Sequence, residues 1–260
     1  MALLAILSLP LWIDAAAKTA VERVGSHALG VRTTLEELDL SLFGGDATLA
    51  GLTLGNPEGF ATPHFLELGK GSIAVSLKSL LSDRVDVPSL VLEGIDLRLD
   101  RSDRGANYEI ILARLKRLEG EKKPEKDSKS FVIREVILRD VRVDATLSLA
   151  GVRTPTVPLR IEEIRFTNVG EAGIPLSRVF GLVLKGLLGG VLEAGAGLLP
   201  AEILGGLEGG LGALVGVGEV GLKVVGEGGK TIVEEGKKVV KDLTKPLEGI
   251  FGRKEKKEGE

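Results

Sequence analysis

Chemistry at a protein site needs a nucleophile, a base or a set of metal ligands, and this chain offers few of each. It has no cysteine and two histidines, His27 and His64, far apart in sequence. Thiolate metal sites are excluded, and little is left for histidine catalysis or a histidine-rich metal centre. The carboxylate pairs Glu36/Glu37 and Glu162/Glu163 fall on the polar side of alternating segments or at bends. Solvated acids are expected there, since an acid/base pair needs a pocket that separates two pKa values. His64 closes the turn-rich run from Asn56 through Pro57, Gly59 and Pro63 and reads as a loop-packing residue. Two glycine motifs fail on context. Gly216-Val217-Gly218-Glu219-Val220-Gly221 has the G-x-G-x-x-G spacing without a preceding strand, and Gly229-Lys230-Thr231 ends like a P-loop whose first glycine is replaced by Val224. No serine stands in a nucleophile-elbow pattern. The expectation is a protein that is not an enzyme, with no catalytic residue, cofactor or metal.

Composition points the same way. Lys and Arg number 34 against 37 Asp and Glu, a net charge of -3, so bulk charge does not attract nucleic acid. Aromatics supply only 3% of the 260 residues while glycine occurs 36 times. The apolar mass is therefore Leu, Val, Ile and Ala, which makes greasy contact without the groups that recognise a particular small ligand.

Three textures must position whatever function there is. Residues 1–30 open with Met1 to Ile13, uncharged and apolar, before Asp14 and Ala15-Ala16-Ala17. This run suits a membrane anchor with Leu4, Ile6, Leu9 and Trp12 facing lipid. It also suits a secretory signal with an Ala15-x-Ala17 site but no basic n-region, or a buried core helix. An amphipathic helix follows, with Ala17, Val21, Val24 and Ala28 at helical spacing and Gly30 as its stop.

Residues 31–170 carry a period of two and a repeated apolar-x-x-apolar-x-apolar signature. It reads Leu35-Glu36-Glu37-Leu38-Asp39-Leu40, Leu49-Ala50-Gly51-Leu52-Thr53-Leu54, Leu92-Glu93-Gly94-Ile95-Asp96-Leu97, Leu138-Arg139-Asp140-Val141-Arg142-Val143 and Ile161-Glu162-Glu163-Ile164-Arg165-Phe166. The two-residue gap inserts an extra residue, as a bulge or bend requires. Leu92 and Leu138 lie 46 positions apart, and their flanks match from Val85/Phe131 to Leu99/Ala145, which indicates an internal duplication. Alternation predicts antiparallel strands with one aliphatic and one wet face, and hairpins at Gly44-Gly45-Asp46 and Gly69-Lys70-Gly71. A helix over Tyr108 to Leu118 presents Tyr108, Ile111, Leu112, Leu115 and Leu118, before a charged loop at 119–130.

Residues 171–252 are glycine-rich. Pro200 and the paired glycines at 189–190, 205–206 and 209–210 predict short helices able to approach neighbours closely. From Val220 a stripe through Val225, Ile232, Val233, Val240, Leu247 and Phe251, flanked by lysines, predicts an interfacial helix, with Ile232, Val240 and Leu247 facing lipid or packing on the protein's own sheet. Residues 253–260 form a charged tail.

The fold expected is α+β. It comprises an N-terminal helix or anchor, a curved one-sided antiparallel β-sheet shaped like a groove with a short helix, and glycine-rich C-terminal helices. The aliphatic face is either a dry core or a trough for acyl chains lined by Leu92, Ile95, Leu97, Val136, Leu138, Val141 and Val143. Continuous grease suits a lipid tail, at about 0.8 kcal/mol per buried CH₂.

Over about residues 1–170 the chain resembles the AsmA-like superfamily of bacterial envelope proteins. The likeness is carried by the apolar start ending in Asp14, Leu38-Asp39-Leu40-Ser41-Leu42-Phe43, Leu52-Thr53-Leu54-Gly55-Asn56-Pro57-Glu58-Gly59-Phe60, Phe65-Leu66-Glu67-Leu68, Ser79-Leu80-Leu81, Val87 to Ile95, and Asn107-Tyr108. The resemblance implies an inner-membrane anchor and a periplasmic β-groove like those of bridge-like lipid transfer proteins, acting in phospholipid movement or outer-membrane homeostasis, with no catalytic residues. Phospholipid or the bilayer is then the expected partner, the bacterial envelope the expected location, and nucleic acid is not expected. The different-class alternative is an assembly protein that forms homo-oligomers, or a larger envelope assembly, through sheet edges and C-terminal helices. Six or seven strands at about 4.8 Å extend only about 30 Å, so a bridge across an envelope would need stacked copies or a partner.

Overall fold

The computed structural model describes residues 2–41, 44–76, 79, 82–120, 129–212, 221–226 and 231–235. Helix α1 (Ala2–Leu29) joins the apolar start and the amphipathic segment into one element, and Gly30, at φ +71°, ends it as its spacing predicted. The side chains of residues 2–12, including Leu4, Ile6, Leu9 and Trp12, lie outside the described residues.

The strands are β1 (Thr33–Thr34), β2 (Glu37–Ser41), β3 (Asp46–Gly55), β4 (His64–Ala74), β5 (Arg84–Val87), β6 (Ser89–Ser102), β7 (Gly105–Ala106), β8 (Ser130–Leu149), β9 (Val152–Arg153), β10 (Val157–Pro175), β11 (Gly221–Gly226) and β12 (Thr231–Glu235). Helix α2 (Asn107–Gly120) lies between β7 and β8, while α3 (Leu176–Ala194) and α4 (Ala201–Gly212) lie between β10 and β11. Among the described residues the strands make one sheet, ordered β1-β3-β4-β6-β8-β10-β11-β12 along its main path, with β2 beside β3. The architecture is an α+β open sheet, with helices packed on its aliphatic face in a single hydrophobic core.

The sheet is mixed where an antiparallel one was expected. Strands β6 and β8 run parallel, as do β5 and β8. The reason is visible in the sequence: the crossover through β7 and α2 is long enough to return the chain to the same end of the sheet, as parallel pairing requires. The 46-residue duplication is this pairing. Val85 faces Phe131, Leu90 faces Val136, Leu92 faces Leu138, Ile95 faces Val141 and Leu99 faces Ala145.

Four further expectations are corrected. Gly69-Lys70-Gly71 lies in the middle of β4, where Gly71 lets the side chains of Leu49 and Leu92 close over its backbone. The sheet extends through Pro175, past the boundary at 170, and the segment expected to start an interfacial helix instead forms the antiparallel hairpin β11–β12. Ile232 therefore lies on a strand, and Val240 and Leu247 lie outside the described residues. The charged loop is shorter than expected, because α2 runs through Gly120 and β8 starts at Ser130.

Candidate functional site

The repeated signature builds a transverse crease. Gly51 and Gly94 have φ of +62° and +71°, and Asp140 has φ +48°. On both sides of them the ladder stays in register, which brings Gly51, Gly69, Gly94 and Asp140 into one line across β3, β4, β6 and β8. Strand β10 continues the line, since its pairing with β8 passes from Ile161/Val141 to Glu163/Arg139 and leaves Glu162 against Asp140. The residues pair one against one at this level, so the expected bulge is corrected to a bend carried in step across β3, β4, β6, β8 and β10, with a register shift at Ile161/Glu163 toward β11; in three copies the extra residue takes a left-handed conformation. Glycine supplies it without steric cost in two copies and aspartate in a third.

Above and below the crease the aliphatic residues stand in rows. One row is Leu38, Leu49, Gly71, Leu92, Leu138, Ile164 and Val224; the next is Leu40, Ala47, Ile73, Leu90, Val136, Phe166 and Leu222. The seven residues expected to line a groove all lie on this face. The structure brings them together as expected but covers them: Leu92, Ile95, Leu97, Val136, Leu138, Val141 and Val143 are none more than 8% exposed. They are core, and the open trough is corrected to a closed face over β6, β8 and β10.

Glycines account for the closeness of the cover. A methyl group at Gly190 of α3 would stand 2.5 Å from Ile164 Cδ1, and one at Gly186 would stand 2.7 Å from Phe166 Cζ. The helix backbone therefore sits directly on β10. Gly181 similarly admits Leu115 of α2, and Gly210 of α4 admits Leu112. Leu184, Leu187, Leu188 and Val191 of α3 are buried between these contacts. At about 1.5–3 kcal/mol for each, lifting α3 costs on the order of 10 kcal/mol, comparable with the whole stability of a domain. The cover is not a lid that opens thermally.

Burial is graded across the sheet. Val136 and Leu138 are fully buried, whereas Leu40, Leu49, Ile73 and Val75, on or beside β2–β4 above the crease, are only half-buried. Helix α1 passes this strip. Asp14 Oδ1 accepts from Leu40 N–H at 3.1 Å, and Lys18 Nζ donates to Glu36 O at 2.8 Å. The helix thus runs toward the Ser41 end of β2, and its first residues, Ala2 to Ile13, continue past Asp14 for about 18 Å at 1.5 Å per residue.

The opposite face is wet and carries an alternating charge lattice. Arg139 reaches Glu93 and Glu163 at 3.3 Å each, Lys70 lies 3.8 Å from Glu93, and Arg165 bonds Glu163 at 3.0 Å and Glu135 at 2.6 Å. Partial burial pushes the Glu163 carboxyl up, but Arg165 and Arg139 together outweigh it and hold it below the usual carboxylate range. Glu163 is therefore an ion-pair member, while Glu36 and Glu37 are exposed on the first edge. His64 opens β4 rather than packing a loop, with Nε2 4.0 Å from Glu67. Its neighbour Asn56 joins a network that sequence reasoning missed. Buried Asn107 donates to Asn56 Oδ1 at 3.1 Å and to Arg98 O at 2.9 Å, and its own Oδ1 accepts from Asp100 and Tyr108 N–H. Asn56 in turn bonds Thr62 at 2.8 Å, which fastens the loop to α2. Tyr108 donates to Ile203 O of α4 at 3.1 Å, and burial pushes its phenol up to about 12.

Among the described residues no group of three or more His, Asp or Glu could hold a metal ion, and no helix is long and apolar enough to cross a membrane. The chain matches no protein-family model and no curated protein.

Proposed function

We propose that this is a non-enzymatic envelope protein tethered at the inner membrane by the apolar start of α1, which enters the bilayer without crossing it, and that its sheet shields a lipid acyl chain at the membrane surface. The observation that carries the reading is the graded cover of the aliphatic face: it is sealed over β6, β8 and β10 and half-open at Leu40, Leu49, Ile73 and Val75. The half-open strip lies at the end of the sheet toward which the uncharged residues Ala2 to Ile13 run. Its size sets the task. Three strands at about 4.8 Å and five residues at about 3.3 Å span about 15 Å on a side, half of an about 30 Å hydrocarbon core. That suits one chain held against the sheet and not a conduit across an envelope, so the reading is membrane homeostasis by local lipid contact. The resemblance to the AsmA-like superfamily implies the same location and ligand class.

The test is photocrosslinking of the full chain in vesicles of phosphatidylethanolamine and phosphatidylglycerol doped with a phospholipid bearing a tail diazirine. Adducts are expected on peptides containing Leu49 and Ile73 and to fall in Ile73→Asp. Adducts confined to the residues of α1, or found on Leu138 and Val141 instead, overturn the strip as the lipid site.

A further inference from the structure

The first edge of the sheet is formed by β1 and β2, both paired on their inner side to β3. An edge strand turns alternate N–H and C=O groups outward, a template on which another chain can pair. Here four of those groups are occupied by side chains of α1. Thr33 N–H donates to Ser26 Oγ at 2.9 Å, Leu35 N–H to Glu22 Oε1 at 2.9 Å and Leu40 N–H to Asp14 Oδ1 at 3.1 Å. Glu36 O accepts from Lys18 Nζ at 2.8 Å, while Glu36 N–H turns inward to Ala50 O at 3.2 Å.

The four side chains that do this are Asp14, Lys18, Glu22 and Ser26, spaced every four residues along α1. Four helical residues rise about 6 Å and two strand residues about 6.6 Å. The two rises are close enough for the stripe to reach the edge at Thr33, Leu35, Glu36 and Leu40, though its partners are unevenly spaced along the strand. Three acceptors and one donor, each matched to the group it faces, form a built contact at four points between Thr33 and Leu40.

We propose that this polar stripe of α1 is an edge guard, and that the strand it excludes is the same edge of a second copy. The β1–β2 edge is the natural self-pairing surface. It is extended, it carries Leu38 and Leu40 on its aliphatic side, and two copies brought together antiparallel would match residue for residue about a two-fold axis. With α1 in place, stacking of copies through this edge is closed. The helix that leads toward the membrane in the proposed function thus also keeps the sheet from growing on that side, a role that does not depend on lipid.

The experiment uses the full chain in detergent and two readouts. Amide hydrogen exchange reports on Thr33, Leu35 and Leu40, and a bismaleimide reports copy-to-copy contact through Asp39→Cys, the chain having no native cysteine. In the otherwise wild-type protein these amides are expected to exchange slowly and no crosslinked dimer to form. In the D14A/E22A/S26A background the three amides should exchange about tenfold faster or more, and the dimer should appear. D14N/E22Q keeps both acceptor oxygens and should keep the protection. Asp14→Ala alone frees only Leu40 and keeps the test readable where the triple variant does not fold. Unprotected amides in the wild type, or a folded triple variant with neither faster exchange nor a dimer, overturn the guard.

Discussion

Replacing Gly190 by alanine and, separately, its neighbour Gly189 by alanine should have different effects on stability, although both substitutions favour the helix. Both sit inside α3, where alanine is favoured over glycine by about 1 kcal/mol. At Gly189 nothing lies within 4 Å of an added methyl, so that gain should appear undiminished. At Gly190 the methyl would stand 2.5, 2.8 and 3.0 Å from Cδ1, Cγ1 and Cγ2 of Ile164, a side chain that is itself fully buried. Because both branches of the isoleucine are struck, one rotamer change does not clear the clash. Overpacking of a closed core costs about 1–3 kcal/mol, against which the helical gain is small. The two variants should therefore differ by about 1–3 kcal/mol, with Gly189→Ala more stable than wild type and Gly190→Ala less stable or equal to it. Urea unfolding of the full chain, followed by circular dichroism, measures this as a shift in midpoint at constant slope. Equal stabilisation by both would mean that α3 does not rest on β10, and the closed aliphatic face would have to be given up.

Four more outcomes can be checked. Asp140→Gly should be neutral or stabilising by up to about 1 kcal/mol in the same assay, whereas Gly94→Val, forced to hold φ +71° with a branched side chain, should cost more than about 1 kcal/mol. Tyr108 holds its proton in the fold up to about 12, against about 10 unfolded, so its contribution is intact below pH 10 and is lost as pH rises from 10 toward 12. Tyr108→Phe should flatten that alkaline loss of stability, as measured by unfolding at a series of pH values. Tail-diazirine adducts should map to Leu49 and Ile73, and amide exchange at Thr33, Leu35 and Leu40 should quicken when the guard is removed.

Much of the fold was legible because a few residues carry unambiguous physics. The crease positions follow from an apolar-x-x-apolar spacing that alternation cannot produce, and the stripe of Tyr108, Ile111, Leu112 and Leu115 is buried in α2 as its helical period requires. The seven groove residues were placed correctly on one face, but no local pattern says what covers a face, and the covering residues Leu184 to Val191 lie far along the chain. Alternation does not encode strand direction either. Nor does the repeated signature, since the copies at Leu92–Leu97 and Leu138–Val143 pair parallel while those at Leu138–Val143 and Ile161–Phe166 pair antiparallel. Val224, Val225, Ile232 and Val233 fit both a strand and a helical stripe, and the hairpin decides between them. The polar stripe Asp14, Lys18, Glu22, Ser26 was present at helical spacing, but its meaning depends on an edge that only the folded sheet defines.

The crease has a consequence for how the chain finds its alignment. Alternation of oily and wet residues penalises a slip by one position, which turns every side chain over, but it tolerates a slip by two. Gly94 and Asp140 face each other across β6 and β8 and both are left-handed, so a slip by two between these strands would set each beside an extended residue. At this pair the irregular positions act as keys in matching slots, so even-numbered errors are rejected where the pattern of hydrophobicity alone would let them pass.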